Sequence, residues 1–253
     1  MKDMETADFG YQKIPAHEKV NWVRHHFDAV AQKYDMMNTL LSFGIHYLWK
    51  RTAVRMLVLK PGDSVIDVCA GTGDLSILAM KKVHPTGQVV LYDINRKMMV
   101  TGRKKQVNAE ARRKALYVQG DAECISFGSN QFDAAMVGFG IRNLTHIELG
   151  FREMHRVLKP GGQLMCLEFS KPVFTPFRWL YDLYSFSIMP LLGLLIVGSR
   201  KAYTYLPESI RVFPPPEELK GMLEKIGFHE VTYRRVSNGI AVIHMGIKNA
   251  HSG

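Results

Sequence analysis

The sequence predicts an α/β fold: a mostly parallel sheet with helices on both faces and an antiparallel finish. Three observations predict it. Short apolar runs alternate with helix-period segments between residues 64 and 170. The first of those runs exits into a glycine turn, Gly71-Thr72-Gly73. The rhythm then breaks near the end, where two strand-like runs flank Asn238-Gly239 and read as an antiparallel pair. Strands joined through helices pair in parallel by right-handed crossovers.

The elements follow in order. Residues 1–18 are polar and are expected to be a flexible segment, with residues 19–253 forming one domain. From Lys19, a stripe of Val20, Val23, Phe27 and Val30 predicts a helix. A second helix is expected over residues 47–59, stopped by Lys60-Pro61-Gly62-Asp63. "SVIDVCAG" is the first strand, followed by a helix over Asp74–Val83. "QVVLYD" is the second, and a helix over residues 96–109 leads to the third, "ALYVQGDA". "FDAAMVGFG" is the fourth; "THIELGFREMHRVL" is a helix with a capping box from Thr145 to Glu148; "GGQLMCLEFS" is the fifth strand. A last helix starts at the triple proline and stops at Gly227, with Leu219, Met222, Leu223 and Ile226 as its stripe.

At 253 residues and 47% hydrophobic, the chain can build a core without covalent staples. Its cysteines, Cys69, Cys124 and Cys166, are odd in number and lie in apolar stretches, which points to a reducing compartment. The opening "MKDMETADFG" lacks the basic and apolar regions of a signal peptide, so a cytoplasmic location is expected. The net charge of +10 suits nucleic acid, anionic lipid or an acidic cofactor. The densest basic runs, from Arg103 and from Arg112, fall on a predicted helix and its exit, where a solvated face is the ordinary outcome. With no zinc spacing and no RNA-binding aromatic signature, neither metal nor nucleic acid is expected.

Ligands of open parallel sheets sit beyond the carboxyl ends of the strands. Here the first strand carries Asp67 and ends in Gly71 and Gly73, which let backbone turn tightly against a ligand. The second ends at Asp93, placed to accept hydrogen bonds from a ribose diol. The third ends at Asp121-Ala122, where a short carboxylate can meet an adenine amino group. Loop, ribose acceptor and base acceptor in this order point to a nucleoside ligand. A dinucleotide site prefers a third glycine where Ser76 stands, and avoids an acid such as Asp74 at the helix start, because that helix end must attract pyrophosphate. A cationic, phosphate-free ligand fits better, and S-adenosylmethionine is one.

Two stretches make the match closer. "YDMMNTLLSFGIHYLW", residues 34–49, and "RVLKPGGQLMCLEFS", residues 156–170, resemble the two signatures of the ubiquinone/menaquinone biosynthesis C-methyltransferases, a family of class I S-adenosylmethionine-dependent methyltransferases. The resemblance covers residues 19–248. It implies a Rossmann-like, seven-stranded sheet with a C-terminal antiparallel strand. It also implies methyl transfer to a ring carbon of a polyprenylated quinol, either demethylmenaquinol or 2-polyprenyl-6-methoxy-1,4-benzoquinol. Donor contacts then fall on Thr72, Asp93, Asp121 and Ala122. Gly138 stands where some members contact the donor through a serine, so that hydrogen bond is missing; Cys69 stands where many such folds have glycine.

On the quinol side, the resemblance makes residues 19–59 a helical lid and residues 171–213 an apolar insertion. Tyr34, Asn38 and Phe139 become substrate contacts, and Arg142, Asn143, Asp35 and His46 catalytic candidates. Arg142 would stabilise a phenolate, and Asp35 or His46 would take its proton, directly or through water. The local alternatives are a salt bridge for Arg142, a hydrogen-bonded wall for His46 and turn chemistry for Asp35 and Asn38. The apolar run at residues 183–198 reaches only about 24 Å as a helix, is preceded by Asp182 and carries Pro190 at its centre, so a flap or bilayer-resting segment is expected over a membrane span. Arg178, Arg200 and Lys201 flank it. The expected partners are the quinol and, peripherally, the inner face of the plasma membrane, with a homodimer left open. The rivals are a methyltransferase for another lipid or small molecule, an NAD-binding oxidoreductase, and a catalytically silent binding module.

Overall fold

The structure, a computed structural model, describes residues 5–105 and 115–250. The end of the helix expected over residues 96–109 and the basic run from Arg112 fall partly or wholly outside the described residues.

A seven-stranded sheet forms the centre. Its strands are β3 (Ser64–Val68), β4 (Gln88–Asp93), β5 (Ala115–Gln119), β6 (Phe132–Gly138), β7 (Leu158–Phe169), β8 (Phe228–Val236) and β9 (Ala241–Lys248). Their spatial order is β5-β4-β3-β6-β7-β9-β8. The pairs from β5 to β7 are parallel, and β9 lies antiparallel between β7 and β8. Both faces are covered, which is why the strands read as continuous apolar runs. Ile66, Val90 and Tyr92 face a core shared with Phe151, Met154, Leu219 and Leu223. Their neighbours Val65, Val89 and Leu91 face the other, with Ala53, Leu57, Ala79 and Val83. The chain steps from β3 outward to β5 and then returns to β6 on the far side of β3. That reversal opens a crevice at the carboxyl ends of β3 and β6.

The N-terminal region differs from expectation. The segment read as flexible contains a hairpin, β1 (Thr6–Phe9) with β2 (Gln12–Pro15). Phe9 and Ile14 are buried, and the Phe9 ring stacks on Tyr205 at 4.2 Å. Eight residues with three buried apolar side chains, Ala7, Phe9 and Ile14, carry no local strand signal; docking on a distant helix orders them. Next come α1 (Ala16–Val30), α2 (Tyr34–Leu41) and α3 (Ile45–Met56), three helices where two were expected. Phe43 and Gly44, at φ 50° and 74°, make the turn between α2 and α3.

Helices α4 (Asp74–Val83), α5 (Arg96–Lys105) and α6 (Ile147–Val157) are crossovers of the parallel part. The expected capping box at α6 is not formed. Glu123 reaches in from another loop, and its Oε1 accepts from the backbone N–H of Thr145 at 2.6 Å and of His146 at 3.0 Å. The Thr145 hydroxyl is left buried without a partner among the described residues.

The apolar run is longer than the sequence suggested. Helix α7 (Thr175–Leu183), a π-helical turn (Tyr184–Ile188) and α8 (Met189–Val197) form one continuous stretch of 23 residues, long and apolar enough to cross a membrane by those criteria. Pro190 does not break it. Proline is tolerated in the first turn of a helical segment, and Pro190 sits there, directly after the π turn. The stretch is laid along the molecule. Ser185, Met189, Pro190 and Gly193 are buried, Tyr203 of α9 (Arg200–Val212) packs on Gly193, and Asp182 pairs with Arg211 of α9. Helix α10 (Pro216–Ile226) leads into β8.

Candidate active site

Two clefts meet at the carboxyl edge of the sheet. The first, of about 1030 Å³, lies in the crevice over β3, β4 and β6. The second, of about 1760 Å³, lies among α1–α3, β6–β7 and α7–α9. Phe27, Tyr34, Lys50 and Phe139 line both, so these four side chains stand at the junction.

The first cleft is built on a tightly coiled loop. Cys69, Gly71 and Gly73 all adopt the left-handed region, at φ 56°, 56° and 82°. The conformation at Cys69 explains why glycine suits that position, since a side chain there is strained. Asp93 clamps the loop: its Oδ2 accepts from the Gly71 N–H at 2.7 Å and its Oδ1 from the Asn95 N–H at 2.6 Å. Burial nevertheless pushes its pKa up to about 6, against the pull of those two bonds. Asp67 is more extreme. It is buried, Ser76 donates to its Oδ2 at 2.5 Å, and Oδ1 has no partner among the described residues. Burial raises its pKa to about 7, with the Ser76 bond opposing.

An unsatisfied buried acceptor costs stability until a donor arrives, and a cationic donor gains most. Thr72, Asp121, Ala122 and Gly138 also line this cleft. Asp121 is held by the Glu123 N–H on its Oδ1 at 2.9 Å. A Cβ on Gly138 would collide with Leu75, so a serine does not fit there without movement of that side chain. Asp74 also lines the cleft and pairs with Lys50 at 2.7 Å. A cleft lined by these carboxylates suits a sulfonium and an ammonium and disfavours pyrophosphate.

The second cleft is lined mostly by aromatic and aliphatic side chains, with few polar groups. Arg142, in a 3-10 turn over Ile141–Asn143, is buried. Its Nη1 donates to Glu168 Oε1 at 2.7 Å and to the Phe139 carbonyl at 2.6 Å, and its Nε to Ser209 at 3.3 Å. Nη2 makes no hydrogen bond among the described residues. Burial works to lower the Arg142 pKa, but chiefly the Glu168 carboxylate outweighs it, and the pKa ends raised. The salt-bridge alternative therefore holds, and the guanidinium lines the cleft as well.

His46 is buried, with Nδ1 2.7 Å from Ser42 Oγ. The Ser42 hydroxyl donates to the Asn38 carbonyl at 2.6 Å, so it accepts from Nδ1–H, which fixes Nε2 as the acceptor nitrogen. Tyr34, Asn38 and His46 all line this cleft. Tyr34 has its pKa raised, mainly by burial.

Two candidates stand elsewhere than expected. Asp35 lines neither cleft: its Oδ1 accepts from the Thr72 hydroxyl at 2.8 Å, tying α2 to the glycine loop. Asn143 lines the first cleft, and its Oδ1 accepts from Tyr205 at 2.8 Å. Sequence reasoning missed Glu168, Lys50, Ser209 and the tyrosines Tyr181, Tyr184, Tyr203 and Tyr205. A carboxylate inside the apolar run "LMCLEF" was the available signal for Glu168. The α9 residues carried none. Among the described residues no cluster of His, Cys, Asp or Glu could hold a metal.

A parallel sheet of this order, with an acidic nucleoside crevice and no pyrophosphate cradle, defines a class I S-adenosylmethionine-dependent methyltransferase. Solved structures agree on the fold. A Thermotoga maritima S-adenosylmethionine-dependent methyltransferase superposes with a TM-score of 0.62 at 19% identity, covering 89% of this chain and 99% of its own. The [4+2]-cyclase SpnF superposes at 0.64 and 16%, covering 90% and 95%, a reminder that the fold hosts other chemistry. The sequence profile of the ubiE/COQ5 methyltransferase family matches residues 14–248, and the chain belongs to that family. It is 46% identical over 243 residues to the ubiquinone/menaquinone biosynthesis C-methyltransferase UbiE of Pseudomonas aeruginosa, covering 96% of this chain and 95% of that one. The Escherichia fergusonii protein of the same name is 44% identical over 247 residues, 98% of each chain. The methyl donor is S-adenosylmethionine.

Proposed function

We propose that this chain methylates a ring carbon of a polyprenylated quinol, demethylmenaquinol or 2-polyprenyl-6-methoxy-1,4-benzoquinol. The single observation that carries this is the junction: an acidic donor cleft and a larger apolar cleft share Phe27, Tyr34, Lys50 and Phe139. Bound in the first cleft, S-adenosylmethionine supplies an electrophilic sulfonium methyl. Asp67 would hold its ammonium, Asp93 its ribose and Asp121 its adenine amino group. Thr72, Gly71 and Gly73 shape the loop beneath.

In the second cleft the apolar walls hold the quinol ring and the start of its tail, with Tyr34 and Phe139 at the junction and Asn38 in the cleft's own lining. A quinol becomes nucleophilic at carbon as its hydroxyl gives up a proton. Arg142 stabilises the resulting oxyanion through Nη2, and His46 takes the proton on Nε2. Electron density passes from oxygen to the ring carbon, the carbon–methyl bond forms as the sulfur–methyl bond breaks, the ring proton leaves to solvent to restore the aromatic ring as a phenolate, and the proton held on His46 returns to that oxygen. A placed base contributes ~10²–10⁴ in rate, and orientation at the junction as much or more. Residues 19–59 act as the lid and residues 171–213 as the tail-side wall. A polyprenylated substrate resides in a bilayer, so the reaction takes place with the enzyme held peripherally at the cytoplasmic face of the plasma membrane.

Transfer of labelled methyl from S-adenosylmethionine to a short-chain quinol analogue tests this reading. Tight binding of a nicotinamide dinucleotide with no uptake of the sulfonium donor would end it. Competition between the two quinol types in one assay identifies the preferred ring.

A further inference from the structure

Helix α8 has the sequence MPLLGLLIV, without one polar side chain. A helix apolar all round belongs in a protein core or in lipid. This one lies at the surface: only 22% of the apolar window within Thr175–Val197 is buried. Trp179 is 72% and Leu195 71% exposed, with Leu183, Leu191 and Leu194 exposed beside them. Phe43, 80% exposed at the α2–α3 turn, extends the same face, its ring 6.3 Å from that of Tyr184.

Two further observations say what covers this face. Phe43, Leu180, Leu183 and Ile188 are exposed and also line the second cleft, so the cleft's mouth opens within the apolar patch. At the far end of α8, Val197 borders a groove with Arg24, Lys33, Arg96, Lys97 and Lys104. Among the described residues Asp28 is the one acid lining that groove, tied to Lys97 at 2.9 Å. Lys33 sits against the helix end itself, donating to the Ile196 carbonyl at 2.6 Å. An apolar face rimmed by cations matches the interior and headgroups of an anionic monolayer. A second copy of a chain with net charge +10 would bring the wrong sign. Spanning is opposed by the inward face, where Ser185 is buried, Gly193 meets Tyr203, and Asp182 pairs with Arg211.

We propose that the outer face of α7–α8, with Phe43, seats in one leaflet of an anionic bilayer, the five groove cations on lipid headgroups, so that the quinol passes from leaflet to second cleft without crossing water. The proposal deepens the quinol reading and rests on it for its purpose, while its binding arm is independent. The test is flotation with vesicles of phosphatidylcholine alone or mixed with phosphatidylglycerol. The wild type is expected to float with the anionic vesicles and to be released at ~1 M salt, where the Debye length shrinks to ~3 Å. Leu191→Asp with Leu195→Asp should lower partitioning ~10²-fold. Neither residue lines a cleft, so that variant keeps binding of the demethylated donor and turnover of a short-chain quinol, and loses turnover of a long-chain quinol in vesicles. Arg96→Ser with Lys104→Ser should remove the preference for anionic lipid. A double-aspartate variant that floats like the wild type overturns the proposal. So does a wild type that ignores vesicles but forms a dimer that the same variant dissociates. A wild type that floats yet methylates no quinol defeats the quinol reading and leaves the docking face standing.

Discussion

The two clefts are built on different principles. The donor cleft is a property of one sheet edge. Its carboxylates sit at strand ends, Asp67 and Asp93 on adjacent parallel strands and Asp121 just past a third, and its loop is five residues of contiguous chain, Cys69 to Gly73. The second cleft has no such local origin. Its lining comes from α1, α2, α3, the turn after β6, the end of β7 and α7 to α9, spread over 215 residues from His26 to Ile240. The first cleft sets carboxylates among apolar walls, Asp93 held by backbone N–H groups and Asp67 by the Ser76 hydroxyl. The second is more apolar, with the buried Arg142–Glu168 ion pair at its wall. Carboxylates gather at the first cleft, and aromatic and aliphatic side chains at the second.

Arg142→Ala should separate the clefts most sharply. Turnover is expected to fall ~10²–10⁴-fold while donor affinity, read by calorimetry, stays within about threefold. Losing one partner of a buried pair also costs ~3–5 kcal/mol. Replacing both partners, Arg142→Met with Glu168→Gln, should recover most of that stability in chemical denaturation and none of the turnover. Normal turnover in either variant removes Arg142 from the chemistry.

Asp93→Ala attacks the other side. It deletes the clamp on the Gly71 and Asn95 N–H groups together with the ribose acceptor, so donor affinity should drop ~10²-fold. Unchanged affinity would show that the loop is held without it.

The raised carboxyls predict a pH dependence with opposite signs for stability and binding. Asp67 titrates near 7 and Asp93 near 6, above their ordinary value of 3.8, so the folded chain holds protons that the unfolded chain has lost. Their contribution to the stability of the ligand-free protein is complete below pH ~4 and falls as pH rises through 6 to 7. Donor affinity moves the other way, rising over that window because the cationic ligand prefers the ionised forms. Asp67→Asn should flatten both curves by a large part, and donor affinity that falls as pH rises through the window would refute the assignment.

The smallest effect is expected at the tie between the clefts. Asp35→Ala removes the acceptor of the Thr72 hydroxyl, and the donor KM should rise ~3–10-fold with kcat nearly unchanged. A kcat loss comparable to that of Arg142→Ala would return Asp35 to the chemistry.

Legibility in the sequence follows the same division. Asp93 and Asp121 could be placed because a parallel strand's end is a fixed address and a carboxylate there has few uses. Arg142 could be named from the resemblance, but its partner Glu168 lies 26 residues on, and only the pairing of β6 with β7 brings them together. Asp35 looked like a free acid beside a ring because nothing local shows that α2 folds back on the glycine loop. The capping box at Thr145 failed for a related reason: a carboxylate from another loop, Glu123, outcompeted the local one. The length of the apolar helix was misjudged because Pro190 was weighed without the π turn that precedes it.

Sequence alone determined the parallel sheet, its antiparallel finish, the donor's chemistry and the family, because each rests on periodicity or on residues close together in the chain. Tertiary structure decided the quinol cleft, the hairpin under Tyr205, the buried Arg142–Glu168 pair and the exposed course of α7–α8. Those depend on which distant surfaces meet. Whether an apolar side chain ends in the core or facing a bilayer is a property of its neighbours in space, which the order of residues does not state.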